Sequence, residues 1–104
     1  MMAHNVYFTL TDNSAAERKR LMEACKKYLA QQPGVLFFAC GPRAVGCVRD
    51  VNDQDFDVSL HLVFRHVDDH DRYQADATHG TFIAECKANW EKVRVFDSVV
   101  EGKS

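Results

Sequence analysis

The chain has 104 residues, with 13 Lys and Arg against 15 Asp and Glu and a formal net charge of −2; residues 1–104 read as a single domain, with no room for a second core. Charges of both signs are interspersed, which argues against partners held by bulk electrostatics, nucleic acid and anionic membrane surfaces among them. No apolar stretch approaches the roughly 20 residues of a membrane-spanning helix, and Met1-Met2-Ala3-His4-Asn5 has neither the basic patch nor the apolar core of a signal peptide, so the expected location is cytoplasmic.

Val6, Phe8 and Leu10 alternate with Asn5, Tyr7 and Thr9, the period of a half-buried strand, and His4 shares the parity of the apolar set. Ser14-Ala15-Ala16-Glu17 is a capping-box pattern, in which hydroxyl and carboxylate satisfy the orphan N–H groups of a helix start. The helix it opens carries Leu21, Ala24, Cys25, Tyr28 and Leu29 on one face and Arg18, Lys19, Glu23, Lys26 and Lys27 on the other, and Pro33-Gly34 ends it. Val35 to Cys40 is a continuous apolar run too short for a helix, which predicts a strand buried on both faces, broken by Gly41-Pro42. Arg43 to Asp55 has no sustained period and reads as a surface loop. Its Asp50, Asn52 and Gln54 do not make a calcium loop, because the required Gly and the distal Glu are missing.

Asp57 to Phe64 alternates again, with Val58, Leu60, Leu62 and Phe64 on one side and Asp57, Ser59, His61 and Val63 on the other. His66 to Gln74 reads as a short helix whose Asp68, Asp69 and Asp71 suit the positive end of a helix dipole. A second helix runs from Thr78 to Trp90, with His79 at the head of an apolar stripe continued by Phe82, Ile83, Cys86 and Trp90. Val93 to Val100 is the last strand. The cysteines Cys25, Cys40, Cys47 and Cys86 form no Cys-x-x-Cys pair, so neither a zinc knuckle nor a thioredoxin-like motif is expected, and the thiols serve as small hydrophobes with Cys47 in the loop.

The order strand, helix, strand, strand, helical segment, strand is the split β-α-β-β-α-β motif. It predicts an α+β, ferredoxin-like fold with the helices on one face of a four-stranded antiparallel sheet. The other sheet face is left without a second layer. A second copy laid against it would close a dimeric α+β barrel, so the expected partner is a second copy of this chain in a homodimer.

His4-x-Val6-x-Phe8, the strand from Phe56-Asp57 to Phe64, Asp71-Arg72-Tyr73 followed six residues later by His79, and Trp90-Glu91-Lys92-Val93-x-Val95-Phe96-Asp97 together resemble the stress-responsive dimeric α/β-barrel (Dabb) family over nearly the whole chain. The resemblance implies a ferredoxin-like fold, a homodimeric barrel and, for most members, no established activity. A plant polyketide cyclase of that family performs an intramolecular aldol condensation, and by that likeness Tyr73, His79 and His4 stand where its tyrosine and two histidines stand. This sequence departs from many relatives at Ala77-Thr78, where they carry a proline.

His4, Tyr73 and His79 are therefore the candidate catalytic residues. A histidine among Phe and Ile is held neutral by desolvation and is poised as a general base, and a neighbouring phenol can polarise a carbonyl. The alternative is a structural histidine bonded to the backbone or to Tyr73. His66 and His70 have a chelating spacing, but no third ligand is fixed, and a solvated helix face is the simpler account. His61 reads as a barrel-interface residue and Trp90 as core. No four-ligand set or phosphate-cradling glycine loop is visible, so no metal or organic cofactor is expected. Three functions remain: a binding module for a small hydrophobic or polyketide-like ligand, a cofactor-independent cyclase or lyase with a His/Tyr acid–base pair, and a non-catalytic structural or stress-related dimer.

Overall fold

The computed structural model describes residues 1–103. Strand β1, Met2–Leu10, buries its even-numbered residues and leaves the odd ones half-buried, as the alternation predicts. The helix α1, Ala15–Tyr28, starts at Ser14, whose hydroxyl accepts from the Glu17 N–H at 3.3 Å. The reciprocal half of the expected capping box is replaced: the Ser14 N–H donates to Asp12 Oδ1 at 3.1 Å. Leu21, Ala24 and Cys25 are its buried residues, and Leu29 behind them is fully buried.

Strand β2, Val35–Pro42, and strand β3, Val58–Phe64, complete the first half of the sheet, and strand β4, Trp90–Val99, the second. The order is β2-β3-β1-β4, and all three pairings are antiparallel. Between β3 and β4 lie helices α2, Val67–Ala75, and α3, Ala77–Cys86, and one 3₁₀ turn, Lys87–Asn89. The core joins the helix-side residues Val6, Phe8, Leu60, Leu62 and Phe64 of the sheet to Leu21, Cys25, Tyr73 and Phe82 of the helices. The fold is thus the ferredoxin-like α+β arrangement, one sheet with its helices on one face. Its smallest extent is 19 Å, the depth of one sheet layer and one helix layer.

Two expectations are corrected. The run from Val35 to Cys40 is not buried on both faces: Leu36 and Phe37 are 43% and 55% exposed. The reason is its place at the sheet edge, where it pairs only with β3 and no helix covers its outer face. The helix expected from Thr78 to Trp90 ends at Cys86, and Trp90 already belongs to β4, paired with Leu10. Asn89 enforces the change of direction. Its carbonyl accepts from the Thr11 N–H at 2.9 Å, its side-chain oxygen accepts from the Asp12 N–H at 2.8 Å, and its amide donates to the Asp12 carbonyl at 2.9 Å.

The face without helices is mixed in character. His61 Nδ1 lies 2.8 Å from Asn5 Oδ1 and its Nε2 lies 3.0 Å from Ser59 Oγ, while Phe37 and Phe96 stand exposed nearby. The loop after β2 folds back over one end of this face. Phe56 meets Tyr7 edge-on at 5.0 Å, and Arg94 pairs with Asp53 at 2.5 Å, which holds the Asp53 carboxyl below its usual range.

Candidate active site

Register places the first site residue. His4 of β1 stands directly opposite Asp97 of β4 on the helix side of the sheet, and its Nδ1 lies 2.5 Å from Asp97 Oδ1. A carboxylate only accepts, so Nδ1 carries the proton and Nε2 is left as the proton-accepting nitrogen. Helix α2 supplies Tyr73, which is 3% exposed and meets His4 edge-on at 5.7 Å between ring centroids. Helix α3 supplies His79, half-buried and 4.7 Å from Tyr73 in the same geometry. All three sequence candidates therefore gather on one wall, with the phenol between the two imidazoles.

That wall borders a cavity of about 160 Å³ between the sheet and helices α2 and α3, open to solvent on one side and lined also by Val6, Phe8, Leu60, Phe82, Trp90 and Val95. Trp90 packs against the core through Phe8 and Phe82, at 5.0 and 5.8 Å. A larger hollow of about 410 Å³ opens on the other sheet face beneath the loop, lined by Tyr7, Asp53, Phe56 and Arg94. Its charged groups are already paired with each other. The smaller cavity brings titratable side chains to an apolar wall, which is the arrangement that acid–base chemistry requires.

Burial sets the protonation states. Desolvation lowers the pKa of His4, against the raising influence of Asp97, and lowers that of His79. Desolvation also pushes the Tyr73 phenol up, so at neutral pH the wall presents neutral imidazoles and an intact phenolic O–H. His61 on the far face is lowered by burial as well. Since the unfolded chain binds these protons more readily, stability rises with pH through the histidine range and is lost as pH falls below about 6.5. The thermal midpoint should drop between pH 7.5 and 5.5, and His4→Gln should flatten that slope; a native profile that is level there, or rises toward acid, would contradict the burial of neutral imidazoles.

The site includes two residues beyond those picked from sequence. His70, assigned above to a solvated helix face, points inward: its side chain is 13% exposed and its ring lies 5.0 Å from that of His4. The signal was its i,i+3 relation to Tyr73, which puts both on one helix face. Asp97 shares strand parity with Val93 and Val95, but only the register with β1 sets it against His4. His66, the other half of the chelating pair, instead precedes α2 and donates its backbone N–H to Asp69 Oδ2 at 3.2 Å.

Comparison with known proteins agrees with the fold. A dabb family protein of Mesorhizobium loti with a ferredoxin-like fold superposes with a TM-score of 0.78 at 25% identity, covering 97% of each chain. A dimeric ferredoxin-like protein of unknown function from Thermobifida fusca gives 0.78 at 15% identity over 95% of this chain and 90% of that one. A hydroxynitrile lyase from Passiflora edulis gives 0.76 at 15% identity over 99% and 95%. No curated protein matches the sequence. The stress responsive A/B barrel domain matches residues 2–100, nearly the whole chain, and the protein belongs to that family.

Proposed function

We propose that the cavity between the sheet and helices α2 and α3 binds a small apolar molecule carrying one carbonyl or hydroxyl group. The observation that supports this is the placement of His4, Tyr73 and His79 on one wall of a mostly apolar cavity of about 160 Å³, to which Gln74 adds one further polar side chain. That volume suits a single ring, since an apolar cavity of about 150 Å³ accommodates benzene; a polyketide-sized ligand needs more room. Tyr73 donates a hydrogen bond to the ligand oxygen, and neutral His79 accepts one from a ligand hydroxyl where there is one. Cofactor-independent lyase or cyclase chemistry is the second reading, favoured by the 4.7 Å contact of a protonated phenol with a neutral imidazole.

The same reading includes a homodimer through the helix-free face, supported by the exposed Phe37 and Phe96 there and by the dimeric relative. A cytoplasmic, reducing setting is supported by the cysteine spacing. Among the described residues, no helix is long and apolar enough to cross a membrane.

Benzaldehyde and acetophenone titrated into labelled protein, followed by NMR, test the cavity. Resonances of Tyr73 and His79 should shift, and His79→Ala should weaken binding at least tenfold. Its unfolding free energy should change by less than about 1 kcal/mol, as befits a half-buried side chain. A loss of 2 kcal/mol or more with unchanged ligand shifts would make His79 structural and leave the non-catalytic dimer as the better account.

A further inference from the structure

The donor atoms of His4, His70 and Asp97 all lie within 4.8 Å of one another, beside the cavity that His4 lines. We propose that these three side chains form a binding site for one divalent transition-metal ion of the zinc or cobalt type. The reading is independent of what occupies the cavity.

The donor set is the first argument. Two imidazoles and one carboxylate suit such ions, and three protein ligands leave a coordination position open. His70 is the second. Its Nδ1 lies 3.2 Å from Asp71 Oδ1, and a carboxylate there fixes the proton on Nδ1 and the lone pair on Nε2. That is how a metal-ligating histidine is usually oriented, by a carboxylate behind the ring. Nε2 itself is buried and has no hydrogen-bond partner among the described residues. It faces Asp97 Oδ2 at 3.9 Å, too far for a hydrogen bond. A buried nitrogen left in this state is costly and calls for a cation or a proton donor opposite it.

Asp97 is the third argument, because it turns one oxygen toward each imidazole: Oδ1 to His4 Nδ1 at 2.5 Å and Oδ2 to His70 Nε2. Metal–nitrogen and metal–oxygen bonds near 2.1 Å set tetrahedral ligand atoms about 3.4 Å apart. One donor atom from each residue, now within 4.8 Å of the others, would close to about 3.4 Å by side-chain rotation. Charge also fits. With both imidazoles neutral, Asp97 and the supporting Asp71 bring two negative charges to balance a divalent ion. The site draws on three elements, β1, α2 and β4, so no stretch of sequence displays it as a motif.

One consequence follows for the neighbouring cavity. When His4 Nδ1 ligates the ion, its proton moves to Nε2, so His4 turns from proton acceptor to donor and His79 remains the one neutral base on that wall.

The test uses untagged protein stripped with a chelator and titrated with Zn²⁺ by calorimetry and with Co²⁺ by visible absorption. One equivalent should bind per chain, with a cobalt spectrum of nitrogen and oxygen ligation. His70→Gln and Asp97→Asn should each weaken binding at least about 100-fold, and Asp71→Asn about 10- to 100-fold as expected for a supporting carboxylate. His79→Ala and Cys40→Ser should leave it unchanged, which separates this site from the ligand cavity and from thiol ligation. Asp97 is partly exposed, so its variant should fold, as circular dichroism would verify. Failure of the native protein to bind either ion at millimolar concentration, binding that survives both His70→Gln and Asp97→Asn, or a thiolate-to-cobalt charge-transfer band would each overturn the proposal.

Discussion

Replacing Gly34 with Ala should lower the stability of the fold by about 3 kcal/mol, a large effect for the addition of one methyl group. Gly34 has φ +84°, in the left-handed region where a side chain costs about 1–2 kcal/mol. The added Cβ would also fall inside the Asp69 carboxyl group. Asp69 cannot move aside freely: it is 8% exposed, accepts from the His66 N–H at the start of α2 and pairs with Arg72. Displacing it forfeits the cap, worth about 1–2 kcal/mol. Gly34 further holds the chain together by accepting from the Arg65 N–H at 2.9 Å. Because Asp69 sits one residue before His70 and four before Tyr73, the same substitution should disturb the candidate site. Chemical denaturation supplies the measurement, with Gly80→Ala as the control: nothing lies within 4 Å of a Cβ there, and Ala in a helix should gain up to about 1 kcal/mol. In Gly34→Ala/Asp69→Ala the two losses should fall short of their sum, since the second removes the clash made by the first. A Gly34→Ala protein within about 1 kcal/mol of native would mean that the turn tolerates a side chain and that this packing is looser than described.

Phe96→Asp should convert the protein from dimer to monomer while leaving each chain folded. Phe96 lies on the helix-free face, 54% exposed in the single chain and edge-on to Tyr7 at 5.8 Å. If a second copy covers that face, the ring is buried in the contact, and a carboxylate in its place must be desolvated without a partner. A buried aromatic anchor is worth 2 kcal/mol or more, so dimer affinity should fall at least about 30-fold. Sedimentation at micromolar concentration should give twice the 11.8 kDa chain mass for the native protein and a single-chain mass for the variant. A native protein that sediments as a monomer would remove the homodimer from the proposed function. A native dimer indifferent to Phe96→Asp would place its interface elsewhere.

The parts of this protein legible in sequence are those that depend on neighbours along the chain. The alternation in β1 and β3 named the buried face residue by residue, because side chains in a strand point to opposite sides whatever the strand pairs with. The spacing of α1 named Leu21, Ala24 and Cys25 for the same kind of reason, with a period of 3.6. The His4, Tyr73 and His79 set was legible through the family resemblance together with those periods. Pairing, by contrast, is a long-range matter. A run of apolar residues from Val35 to Cys40 has the same composition in the middle of a sheet as at its edge, and only the order β2-β3-β1-β4 exposes Phe37. The helix period of α3 continued to Trp90 on paper, whereas hydrogen bonds between Asn89 and Thr11 and Asp12, just past the end of β1, stop it at Cys86. Asp97 meets His4 because β1 and β4 pair in one register and not in another, and His70 joins them because α2 lies over that point of the sheet. Local periodicity thus determined which faces are apolar, and the tertiary pairing of distant segments decided which polar groups share a site, since register and crossing geometry are properties of the packed chain alone.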